Sequence, residues 1–171
     1  MTHARVKKGF TLIELLIVIG VLGILAAIIL VAVDPAKRLR QSRDARRSSE
    51  VNGILNAILN YTADNKGALP SAIDSATDTS QILGSATTTC NVGCTEADSG
   101  STTAACADLN SDLVDTYIAQ IPIDPRGTDV ASSTVSYDST RTGYYVNKSV
   151  SGRITIGSCN PEDTSSISVK R

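Results

Sequence analysis

Glu14 stands in a segment with no other charge. The nineteen residues from Leu15 to Val33, LLIVIGVLGILAAIILVAV, carry none, and the first acid after them is Asp34. An ionised carboxylate in hydrocarbon costs on the order of 2.5–3.5 kcal/mol at mid-membrane, and less near the end of a span. Glu14 therefore needs a cationic partner, or its head must snorkel to the lipid headgroups. No second acid, histidine or nucleophile lies beside it to suggest catalysis.

Cysteine is the other reactive residue type. Cys90, Cys94, Cys106 and Cys159 all follow the apolar run, in the part that would be exported, where disulfides are expected and three pairings are open. Cys90 and Cys94 alone have a metal-like spacing. With His3 the single histidine in the chain, far upstream, that is a weak zinc signal. A Ser/His/Asp or Cys/His set for nucleophilic catalysis is missing from the exported part, which argues against an enzyme.

These residues must be positioned by the elements around them. A helix over Leu15 to Val33 rises about 28 Å, enough to cross the hydrocarbon of a bilayer. The run is longer than a secretory signal core, and no small-x-small cleavage site follows it. Charge is segregated about it: residues 1–50 hold nine Lys/Arg and four Asp/Glu, whereas residues 51–171 hold seven and thirteen. Basic residues bracketing an apolar span point to anionic headgroups more readily than to nucleic acid. The collar Lys37, Arg38, Arg40, Arg43, Arg46 and Arg47 has no interleaved aromatics and no DNA-binding motif, so it reads as a solvated or lipid-facing face, and DNA is not an expected partner.

Beyond the collar, Val51, Ile54, Leu55, Ile58, Leu59 and Thr62 recur on one helical face, and Asn65-Lys66-Gly67 supplies a stop. Phe10 to Asn65 would form a stem of roughly 80–85 Å if continuous. Asp34-Pro35 is its weak point, because proline removes a backbone donor and crowds the preceding turn. Asp34 could cap a new helix at Pro35, but a kink in one continuous helix is the expectation. Residues 68–106, rich in Ser, Thr, Ala and Gly, read as an extended loop region held by cysteines. A short helix is expected over Ala107 to Ala119, ended by Pro122 and Pro125. Thr134 to Tyr137, Gly143 to Asn147 and Arg153 to Ser158 read as strands of a small antiparallel sheet. With no Trp and only Phe10 among phenylalanines, the core must rest on Ile, Leu, Val and Ala.

The segment KKGFTLIELLIVIGVLGILAAI, Lys7 to Ile28, resembles the class III signal of type IV prepilins and of type II secretion pseudopilins. The resemblance reaches to about Pro70. Tyr61 to Pro70 resembles the helix exit of major pseudopilins, and Tyr117 to Pro125 their approach to the sheet. It implies cleavage by a prepilin peptidase between Gly9 and Phe10, N-methylation of Phe10, and pairing of Glu14 with the new Phe10 amine on the same or a neighbouring subunit. Gly20 and Gly23 would permit close helix approach in such an assembly. The proline that pilins usually place near position 31 is Val31 here, and Pro35 lies four residues later. Some pseudopilins hold calcium in a late loop. Asp124, Asp129 and Asp138 are oxygen donors in that region, but no ligand spacing is fixed, so they read first as solvated turn carboxylates and no cofactor is expected.

The expected fold is thus α+β: a leader (residues 1–9), a membrane-spanning and filament-core helix (10–33), its amphipathic continuation (34–67) and an exported domain with a small sheet (68–171). The expected function is a structural subunit of a type IV pilus or a type II secretion-type pseudopilus. Its partners would be further copies in a homo-oligomeric filament, a prepilin peptidase, an inner-membrane assembly platform and, before assembly, membrane lipid. It would sit as a single-pass protein of the cytoplasmic membrane with its C-terminal part exported, and then in a cell-surface or periplasm-like filament. The rival is a membrane-anchored exported binding or enzyme domain that forms no filament.

Overall fold

The computed structural model describes residues 9–88, 90, 94, 105–127 and 136–171. The chain divides into two compact units at Leu39–Arg40. Predicted features that fall on residues 1–8, on Asp129, and on Thr134 and Val135 lie outside the described residues.

The first unit is dominated by helix α1, Leu12–Val33. Every residue of α1 is exposed, as an all-round apolar helix must be when no protein surrounds it. Its end differs from the expectation of one kinked helix. Asp34 turns into the left-handed region (φ 41°), and a second helix, α2, runs from Pro35 to Asp64. Proline suits a first helical position, where its missing N–H would have had no partner. Asp34 caps the new helix, its Oδ1 accepting from the Lys37 amide at 3.1 Å.

From Arg40 onward the chain builds an α+β unit. Val51, Ile54, Leu55 and Ile58 of α2 are wholly buried, and Leu59 and Thr62 are half-buried, as the helical spacing requires. The helix stops after Asp64, where Lys66 (φ 56°) and Gly67 (φ 92°) go left-handed and the Gly67 amide reaches back to the Thr62 carbonyl. Under the buried face lies a four-stranded antiparallel sheet in the order β1 (Ser80–Ile82), β2 (Tyr144–Lys148), β3 (Ile154–Ser158), β4 (Ser168–Lys170).

Alternation along β2 explains why this sheet is covered on both faces. Tyr144 and Val146 join the main core with the α2 residues and Ile154 and Ile156. Tyr145 points the other way and packs with Ile82, Cys90 and Cys159. Gly157 is its cross-strand partner, and a Cβ there would collide with the Tyr145 ring.

Three sequence expectations are corrected, one of them the strand read over Thr134 to Tyr137, whose described residues Ser136 and Tyr137 lie in no strand. The helix read over Ala107 to Ala119 shrinks to a single turn, α3, Asn110–Leu113. Val114 leaves it extended and Asp115 turns left-handed (φ 69°), because burying Leu109 and Leu113 requires only that turn, and the Asn-Ser-Asp run has little helical preference. The loop region read over 68–106 contains β1, whose register sets Ile82 opposite Tyr145.

Candidate functional site

The N-terminal site is built on how α1 starts. Thr11 is its N-cap in extended conformation, and its hydroxyl oxygen accepts from the Glu14 amide at 3.3 Å. Glu14 answers through Oε2, which accepts from the Thr11 amide at 2.8 Å and the Thr11 hydroxyl at 2.9 Å. This reciprocal capping box holds the carboxylate over the first turn, where the helix dipole also favours a negative charge. Gly9 and Phe10 precede the helix and stand clear of it. Phe10 is 88% exposed and a Cβ on Gly9 would meet nothing, so the junction is open to a protease. An amine created at Phe10 would lie about one turn from a carboxylate that is already positioned.

Elsewhere the structure reassigns several of the residues singled out above. Arg47, read as part of a solvated or lipid-facing collar, is wholly buried. Its Nε and Nη2 donate to the two oxygens of Asp124 at 2.7 and 2.8 Å, and Nη1 donates to Asp44 at 2.7 Å and Glu162 at 3.0 Å. The rigid guanidinium fork can serve several carboxylates at once in this way, and a buried cation requires it. Asp124 is likewise buried and bound at both oxygens, so it is neither a solvated turn carboxylate nor a free donor for calcium. Asp138 caps a turn, accepting from the amide and hydroxyl of Thr140 and the amide of Arg141, contacts that hold its carboxyl below the ordinary value despite some burial. Among the described residues no group of three His, Cys, Asp or Glu is arranged to hold a metal ion.

The ionic cluster fastens the C-terminal segment to α2. Asp44 accepts from the amides of Glu162, Asp163 and Thr164, and Glu162 takes a fork from Arg43. Burial pushes both carboxyls up. At Asp44 the loop amides and Arg47 outweigh it, and at Glu162 the two arginines do, so both titrate below their ordinary values. Sequence reading missed this cluster, although Arg47 continues the spacing of Val51, Ile54 and Ile58 on the buried face. The four cysteines form two disulfides, Cys90–Cys106 and Cys94–Cys159, on the far face of the sheet from α2.

Residues 4–30 match the prokaryotic N-terminal methylation motif. The chain thus carries the class III signal peptide of type IV pilins and pseudopilins, which marks it as a type IV pilin-like substrate of a prepilin peptidase. No curated protein and no solved structure matches the chain. The motif together with α1, a helix long and apolar enough to cross a membrane, points to a membrane-anchored, exported protein.

Proposed function

We propose that the chain is the precursor of a filament subunit of a type IV pilus or a type II secretion-type pseudopilus. A prepilin peptidase cuts it between Gly9 and Phe10, Phe10 is N-methylated, and an inner-membrane platform feeds the mature subunit into a homo-oligomeric filament held together by α1. Before assembly it spans the cytoplasmic membrane with the leader inside and residues 40–171 exported. Once polymerised it stands at the cell surface or in a periplasm-like space. The subunit needs no cofactor in this reading.

The observation that carries the proposal is Glu14 in its capping box, immediately behind an exposed Gly9-Phe10 junction and at the head of a helix with no buried residue. A helix that buries nothing in its own chain must bury its apolar surface in lipid or against other copies, and the second option needs every buried charge to be paired. The Phe10 amine released by cleavage supplies the cation, and Thr11 keeps the carboxylate aimed until it arrives.

Mass spectrometry of the exported protein tests the processing step. The mature chain is expected to begin with N-methyl-Phe10. A chain that retains residues 1–9, or that is cut after Ala32, overturns the proposal.

A further inference from the structure

The ion pairs of α2 split the basic collar into two groups. Arg43 is taken by Glu162, Arg46 by Glu50, and Arg47 by Asp44, Asp124 and Glu162. Lys37, Arg38 and Arg40 form no ion pair among the described residues, and of these Lys37 and Arg38 are exposed and Arg40 half-buried. Next to them Leu39 is 61% exposed, a large apolar side chain flanked by cations. Lys37, Arg38 and Leu39 open α2 four to six positions after the last residue of α1.

We propose that this opening turn of α2 is an interfacial anchor, in which Lys37 and Arg38 bind the phosphates of anionic phospholipids and Leu39 dips into the acyl boundary. Chain length carries the argument. Residues 35–37 are already helical, and as helix four residues rise only about 6 Å, so Lys37 stays at headgroup depth while α1 spans the hydrocarbon. A basic, partly apolar turn held at that depth meets phosphate before any other anion. Lys and Arg stems lie along apolar surface while their heads stay polar, which is the geometry such a turn needs. Asp34, which caps the Lys37 amide, offsets one charge, but the cations that follow it outnumber it and leave the turn net positive. The inference requires only that α1 spans a bilayer and does not depend on filament formation.

The test uses the full chain reconstituted in phosphatidylcholine vesicles that carry a trace of spin-labelled lipid. The association of labelled phosphatidylglycerol with the protein is compared with that of labelled phosphatidylcholine by electron spin resonance. Wild type is expected to favour phosphatidylglycerol about fivefold or more, and this preference should fall at high salt. The K37Q/R38Q protein should lose most of it, while R46Q, whose arginine is occupied by Glu50, should keep it. Equal association of the two lipids with wild type, or full preference retained by K37Q/R38Q, overturns the proposal. So does a K37Q/R38Q protein with unaltered lipid preference but a reduced filament yield, which would assign these cations to a neighbouring copy instead.

Discussion

Arg47 and Asp124 meet through two parallel hydrogen bonds of 2.7 and 2.8 Å, both side chains wholly out of solvent. The pair ties the middle of α2 to the segment that enters the sheet, across 77 positions of sequence. Asp44 and Glu162 complete the coordination of the cation, and the cluster acts as a bolt on one side of the apolar core. Buried ion pairs contribute little over well-packed apolar residues, but removing one member leaves uncompensated charge.

Arg47→Ala should therefore destabilise the α+β unit by about 3–5 kcal/mol, because three carboxylates lose their common partner. In thermal unfolding followed by circular dichroism, this corresponds to a fall in Tm of roughly 10–20 °C. Arg47→Lys should fall between the two, since an ammonium cannot form the paired bonds to Asp124. An unchanged Tm for Arg47→Ala would contradict the role assigned to the cluster.

Acid should loosen the same region. Asp44 and Glu162 titrate below their ordinary values of 3.8 and 4.5 in the folded chain, so the unfolded chain binds more protons at acid pH. Their contribution is complete above about pH 5 and is lost as pH falls through 4.5 and then through the lower folded values. Urea midpoints at pH 7, 4.5 and 3 should decline in that order. Asp44→Asn should start lower at pH 7 and decline less steeply, and equal slopes for the two proteins would oppose the assignment.

The disulfides make a graded expectation. Cys90–Cys106 spans 16 residues and Cys94–Cys159 spans 65. On loop-closure entropy these contribute about 3 and about 4 kcal/mol. Cys94→Ser/Cys159→Ser should thus lower stability more than Cys90→Ser/Cys106→Ser, and labelling of denatured, unreduced wild type should find no free thiol. Four free thiols would contradict both bridges.

What was legible in the sequence depended on how local the cause was. The charge-free run, Glu14 and the stripe from Val51 to Ile58 follow from spacings of a few residues. So does the left-handed exit at Lys66-Gly67, and the strands near Tyr144 and Ile154 follow from their apolar alternation. β1 was not legible, because Ser-Gln-Ile has no strand signature of its own and is buried only through its pairing with β2. The helix read over 107–119 failed where a helical pattern of Leu and Tyr was outweighed by turn-forming Asp115. Arg47 was hidden for a different reason. Its partners Asp124 and Glu162 lie 77 and 115 positions away, and a cation beside other cations looks solvated until its acids are placed. Its position four residues before Val51 on the buried face was the one local sign.

The central claim is that Glu14 serves assembly and not folding. Glu14 belongs to the unit that ends at Leu39, and among the described residues its side-chain hydrogen bonds run to Thr11. Glu14→Ala should leave the unfolding of the α+β unit unchanged while stranding an unpaired Phe10 amine in an apolar surround, at a cost on the order of 3–5 kcal/mol per subunit contact. The direct measurement is the yield of sheared filament from cells expressing equal amounts of wild type, Glu14→Ala and Glu14→Gln, with membrane extracts checked for removal of residues 1–9. Both variants should be cleaved, and filament should fall to a small fraction of the wild-type amount. Wild-type yield from a cleaved Glu14→Ala protein would contradict the pairing role, since a carboxylate that merely snorkels to headgroups can be deleted without loss.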